Sequence, residues 1–358
     1  MLLLAGLSAC GQAPEHAPPA GLEEAPADSG MQLDTRVLNS SDESTYCRGA
    51  EAPSERLPVD LFIVVDRSSS MSDATADGAS KWSATKSALR DVLLHVSPTM
   101  GVGLSFFPSA GHPSSCIVSD HVEDAVPIGR VTQMREDALA LIERVDPGGS
   151  TPTAPALSAA FQLASAHGQA HPDRSIVVVL ATDGKPTSCA PTDAASLAAL
   201  ARGALSGPGH ARTMVVSFTS LDAEDSELSE LLPIAVAGGT QHPIVIEPHA
   251  DFASQLTTAL GETASHRVAC DLALPEPPVH QALDYDRVNV VVDADGRTTL
   301  SRVDGPEACG SSGGWYYDVD PKLAAPSRLD ICPSTCAQVG GHRTSQLKVE
   351  LGCKTRLR

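Results

Sequence analysis

The sequence predicts an α/β protein, a mainly parallel sheet with helices packed on both of its faces. Three observations carry that prediction. Leu61 to Val65 form an apolar, β-branched run too short for a helix, which suits a strand buried on both sides. Ser175 to Thr182 form a second such run, S-I-V-V-V-L-A-T. Between and beyond them, segments with helical spacing alternate with short strand-like runs, the pattern of parallel strands joined by crossover helices.

The elements follow in order. Trp82, Thr85, Leu89, Val92 and Val96 recur at helical spacing, so a helix is expected over about 78–96, and Pro98 stops it. Gly101 to Phe107 reads as a strand, and Val118 to Val131 as an edge strand in short pieces. Ala138, Leu139, Ile142 and Val145 mark a second helix ended by Pro147-Gly148-Gly149. Leu157, Ala160, Phe161 and Ala164 mark a third, with Pro155 in its first turn. Further helices are expected near 193–205 and 224–236, strands at Met214 to Thr219 and Ile244 to Ile246, and a last helix carrying Phe252, Leu256, Leu260 and Thr263.

Two of these strands end on an acid. Asp66 opens D-R-S-S-S, so Ser68 and Ser70 stand with it at the carboxyl end of a buried strand, where open α/β sheets place ligands. Asp183 follows the second run, in T-D-G. Between them, Thr151 offers a hydroxyl on the glycine loop G-G-S-T-P-T, whose backbone can approach an ion closely. Hard oxygen donors from three segments converge, as a hard divalent cation requires.

These residues resemble the metal-ion-dependent adhesion site of the von Willebrand factor type A domain, with D-x-S-x-S, a loop threonine and a later aspartate. The resemblance covers about residues 58 to 265 and implies that family's Rossmann-like fold. It further implies that Ser68, Ser70 and Thr151 bind Mg²⁺ through their hydroxyls, with Mn²⁺ or Ca²⁺ able to replace it. Asp66 and Asp183 would then act largely through bound water, and an acidic residue of a protein partner would complete the coordination. The expected role is binding, with no catalysis. The alternatives are a metal-dependent hydrolase of the cell envelope and a structural envelope protein whose metal site is non-functional. Phosphoryl-transfer hydrolases resemble D-x-D-x-[TV], whereas Ser68 stands at the second acid, and no G-x-S-x-G elbow is present around Asp66 to Met71.

Composition narrows the partners. The formal charge of −19 argues against nucleic acid and against anionic membrane surfaces, both of which attract basic patches. Met1 to Ala9 is apolar but far shorter than the roughly 20 residues that span a bilayer. Leu7-Ser8-Ala9-Cys10 resembles a bacterial lipoprotein signal (residues 1–9), although no Lys or Arg precedes Arg36. That resemblance implies a lipid on Cys10, membrane contact through that lipid alone, and export to the envelope, with the outer membrane favoured. Residues 10–46 are rich in Ala, Pro, Glu and Ser and read as a disordered tether of roughly 30–36 Å root mean square. The type A domain is then expected over 47–267 and a small Cys-rich β module over 268–358.

In that module Val288 to Val292 and Thr298 to Val303 flank D-A-D-G, a hairpin signal. D-x-D-G without further acids is a turn and not a calcium loop. Trp315-Tyr316-Tyr317 reads as core of a small β domain in preference to a ligand platform. With Cys10 assigned to lipid, eight of the nine cysteines remain: Cys47, Cys116, Cys189, Cys270, Cys309, Cys332, Cys336 and Cys353. An even set in an exported chain implies disulfides. Cys116 and Cys189 both lie in loops after strands at the metal end and are expected to pair. Cys332-Pro-Ser-Thr-Cys336 fits neither a redox nor a zinc spacing. The twelve histidines show no metal-binding spacing, and His112 and His121 line the mouth of the site at most.

Overall fold

The computed structural model describes residues 50–52, 57–75, 78–218, 226–247, 252–264, 271–275, 283–293, 296–341 and 346–358. The lipoprotein signal, Cys10, the tether, Cys47 and Cys270 lie outside them. Residues 47–358 form one compact unit.

At its centre lies β2 (Val59–Asp66), all eight residues of which are buried. It pairs in parallel with β3 (Gly101–Phe107) on one side and β5 (Ser175–Thr182) on the other. Beyond β5 come β6 (Arg212–Ser217) and the two-residue β7 (Ile244–Val245), again parallel. On the opposite edge β4 (Val126–Arg130) runs antiparallel to β3. The stretch 118–131 is therefore an edge strand only from Val126, and Val118–Glu123 form a short helix, α2. Six residues are too few to show a helical period.

Alternation along β2 divides the core in two. Leu61, Ile63 and Val65 face one cluster, filled by α1 (Lys81–His95), α3 (Val131–Arg144) and α7 (Phe252–Ala264). Phe62 and Val64 face the other, filled by α4 (Thr153–Ala170), α5 (Ala194–Ser206) and α6 (Ser226–Ala237). A period-two strand buried on both sides requires cover on each face, which three helices supply on either side here. Among the described residues no helix is long and apolar enough to cross a membrane.

The C-terminal part holds two antiparallel sheets over a core of its own, which includes Val288, Val290, Trp315, Tyr317, Leu329 and Ile331. One sheet joins β8 (Leu272–Ala273), β12 (Arg328–Ile331) and β11 (Trp315–Tyr317). The other holds the hairpin strands β9 (Val288–Asp293) and β10 (Arg297–Leu300), with β13 (Gln346–Leu351) on the far side of β9. Trp315, Tyr316 and Tyr317 are buried, as core residues of a small domain are. The part is not all β: Pro333–Gly341 form a helix, α8. Its sheet also takes in β1 (Ala50–Ala52), which pairs with β13, so these three residues belong with the C-terminal strands and not with the parallel sheet.

The two halves meet at the amino ends of the parallel strands. The Arg212 guanidinium, at the start of β6, donates to Asp271, as does the Ser175 hydroxyl at the start of β5. Leu57, just before β2, donates its N–H to the Asp271 carbonyl at 3.0 Å. Burial alone would raise the Asp271 carboxyl, but the guanidiniums of Arg212 and Arg328 override it and hold the group well below the usual carboxylate range. The stability from this depressed carboxyl is present above the unfolded carboxylate value and is lost as pH falls from about 4 downward. Replacing Asp271 with Asn, which strands the buried Arg212 charge, is expected to cost about 3–5 kcal/mol in urea unfolding near neutral pH. The variant should also lose less stability than the wild type as pH falls below about 4.

Candidate metal centre

At the carboxyl ends of β2 and β5, Asp66 and the adjoining Asp183 are brought close because Val65 stands opposite Ala181 in the parallel register. Asp66 is fully buried. One of its oxygens accepts the Ser68 N–H at 2.7 Å, and the other accepts the Thr182 hydroxyl at 2.7 Å. Burial pushes its carboxyl up, and the negative charge of Asp183 pushes it further, to about 6. Two carboxylates in a low-dielectric site repel each other and favour a cation between them.

The hydroxyls are arranged in a chain. Ser70 donates to Asp183 Oδ1 at 2.8 Å, and the Ser68 and Ser70 oxygens lie 3.1 Å apart. A hydroxyl has one proton and two lone pairs. Ser70 directs its proton at Asp183, so it can only accept in its contact with Ser68, whose hydroxyl is also drawn to the Asp66 carboxylate. Lone pairs on both oxygens remain for a hard cation. Direct hydrogen bonds thus connect Asp66, Ser68, Ser70, Thr182 and Asp183. Thr151 reaches the site through the backbone of its loop: Gly148 N–H donates to the Arg67 carbonyl at 2.6 Å, and Ser69 N–H to the Gly149 carbonyl at 3.2 Å. Thr151 itself is buried, with its N–H donated to Thr187 Oγ1 at 2.8 Å and its carbonyl accepting from Thr187 and Thr153. Gly149 has φ +88°, and a Cβ there would press on Pro108 at 3.1 Å, so the loop needs glycine at this point.

Four contributors were not singled out in the sequence. Thr182 reads as the last residue of a strand, and Thr187 as part of a loop. Arg67, the variable residue of D-x-S-x-S, is buried and ties three loop carbonyls together: Pro108 at 2.8 Å, Ser109 at 2.8 Å and Asp146 at 2.7 Å. Lys81 sets its ammonium 2.9 Å from Asp183 Oδ2. For Lys81 a signal existed, because a cation at the first position of a helix opposes the helix dipole.

A disulfide joins Cys116 to Cys189 across 73 residues, linking the loop beyond β3 to the loop beyond β5, as expected. Cys309 pairs with Cys332, and Cys336 and Cys353 are also disulfide-bonded. His112 lies beside Asp124 at 3.2 Å, and His121 is buried against the Ser115 carbonyl. Among the described residues no group of three or more His, Cys, Asp or Glu could hold a metal. The donor set at Asp66 is of another kind, two carboxylates with hydroxyls, and its chemistry fits a hard divalent ion.

Residues 61–185 match the family model of the von Willebrand factor type A domain, and the α/β fold with its mostly parallel sheet is that of this domain. Among solved structures, the chain is similar to a von Willebrand factor type A protein from Catenulispora acidiphila, with 17% identity and a TM-score of 0.42. That likeness covers 84% of this chain and 59% of the other, so the chain spans well under two thirds of the Catenulispora chain. It is also similar to the manganese-loaded TRAP protein of Plasmodium vivax, with 16% identity over 80% of this chain and 98% of that one, at a TM-score of 0.34. No curated protein matches the chain.

Replacing Arg67 with Met would leave three loop carbonyls without their charged donor. A loss of about 2–4 kcal/mol in urea unfolding is expected. Hydrogen exchange should rise at residues 146–149 before it rises in β2.

Proposed function

We propose that this is a binding protein that holds a divalent cation at Asp66, Ser68, Ser70, Thr151 and Asp183 and captures a protein partner through an acidic side chain. Mg²⁺ is the expected ion, with Mn²⁺ or Ca²⁺ as substitutes. The observation that carries the reading is the pair of carboxylates at adjacent strand ends, mutually repelling and bridged by serine hydroxyls whose lone pairs are free for a cation. The match to the type A domain, which commonly mediates adhesion between proteins, supports it. When bound, the ion supplies an electrophilic position that a partner's carboxylate can fill.

The chain's own residues divide the work. Ser68 and Ser70 present neutral oxygens, which leave the ion's charge largely uncompensated. Asp66 and Asp183 hold the protons of neighbouring hydroxyl and N–H groups and provide negative charge behind them. Arg67 and the Cys116–Cys189 link keep the surrounding loops in place. Binding is favoured over hydrolysis because Asp66 is fully enclosed, with both oxygens engaged, and is not exposed as a nucleophile. The cysteine signature at Cys10 supports export and lipid anchoring in the envelope, with the outer membrane as the proposed site. The strong negative charge supports a partner other than nucleic acid.

Paramagnetic resonance of Mn²⁺ with the full chain tests the metal reading. Saturable binding, displaced by Mg²⁺, is expected, and Asp183→Ala should weaken it by about 10- to 100-fold. Binding that Asp183→Ala leaves unchanged would place the ion elsewhere.

A further inference from the structure

One charged side chain outside the five proposed oxygen donors enters the centre. Lys81 is the first residue of α1, and its N–H donates to the Asp73 carbonyl at 2.9 Å, which fixes the helix start beside the D-x-S-x-S loop. Its ammonium lies 2.9 Å from Asp183 Oδ2, with the lysine side chain 13% exposed and that of Asp183 wholly buried. The other oxygen of Asp183 accepts the Ser70 hydroxyl. Both carboxylate oxygens therefore have donors without a metal.

We propose that Lys81 is a resident cation of this centre, which balances Asp183 in the metal-free protein and competes with a divalent ion for the same carboxylate. The inference rests on the metal reading above. With Lys81 in place, the charge of Asp66, Asp183 and the lysine sums to −1 when both acids are ionised. Without it the sum is −2. A divalent ion entering the centre meets about half the net attraction, because the neighbouring ammonium offsets one of the two negative charges. The position is unfavourable for lysine as a helix residue, since a positive charge at a helix start opposes the macrodipole, so the carboxylate and not the helix accounts for its orientation. A four-carbon stem also lets the ammonium withdraw toward solvent without moving α1. Lys81 thus sets the cation concentration at which the centre loads and keeps the metal-free form folded.

Three full-length chains test this: wild type, Lys81→Met, which keeps the stem without the charge, and Lys81→Arg, which keeps the charge. Mn²⁺ affinity is read by paramagnetic resonance, and melting temperature in chelator and in saturating Mn²⁺. Lys81→Met is expected to bind Mn²⁺ about tenfold or more tightly, as removal of one unit charge at contact range implies. It should also melt lower than wild type in chelator and gain more on metal addition. Lys81→Arg should stay near the wild-type affinity. Should Lys81→Met fold poorly without metal, Lys81→Gln, whose amide can still donate to Asp183, carries the same affinity comparison. Equal Mn²⁺ affinities for wild type and the uncharged variants would overturn the role of Lys81 and leave the metal reading standing. No saturable binding by any of the chains would overturn both.

Discussion

Two carboxylates enclosed at the ends of neighbouring strands are the constraint around which the site face is built. A parallel sheet with a period-two central strand delivers Asp66 and Asp183 to the same edge, and the low-dielectric surroundings make their proximity unfavourable. Each nearby polar group answers that repulsion in part. Ser68 N–H and the Thr182 hydroxyl take the oxygens of Asp66; Ser70 and Lys81 take those of Asp183. What remains is a centre with hydroxyl oxygens facing a position of negative potential.

That arrangement would be of little use on mobile loops, and the loops are secured by means unlike one another. Arg67 works from within, spreading one guanidinium over carbonyls of two other segments. The Cys116–Cys189 link works from outside, joining segments that the sheet alone does not connect. Ser109, Gly111 and His112 converge on Asp124, which folds the loop after β3 back on itself. The opposite ends of the same strands are secured by the Arg212–Asp271 pair and by Asp60, whose carboxylate accepts from Arg174 and Gly101 N–H. The C-terminal part therefore docks at the amino edge, roughly 25 Å of strand length from the site.

Much of this was legible in the sequence because the information was local and periodic. The runs at 61–65 and 175–182 state their burial by composition, and an acid directly after such a run can only emerge at a strand end. The pairing of Cys116 with Cys189 followed from the same logic, since both loops leave the same edge. The features that escaped depend on contacts between distant residues. Arg67 occupies a variable position whose role appears only when residues 108, 109 and 146 come beside it. Lys81 carries only a local hint, a cation placed against the helix dipole, and its role appears once Asp183, 102 positions away, stands against it. The helix Pro333–Gly341 was hidden by its setting, a Pro-Ser-Thr segment between two cysteines, where tertiary packing overrides weak local propensity.

The pairing of Ala50–Ala52 with Val349–Leu351 has a mechanical consequence. Tension applied to the chain ahead of Ala50 meets this three-residue strand first, before it reaches β2. That ladder belongs to the C-terminal sheet, whereas the register of β2 is set by β3 and β5. The strand that meets such a pull ahead of β2 and the candidate grip therefore lie on different sheets.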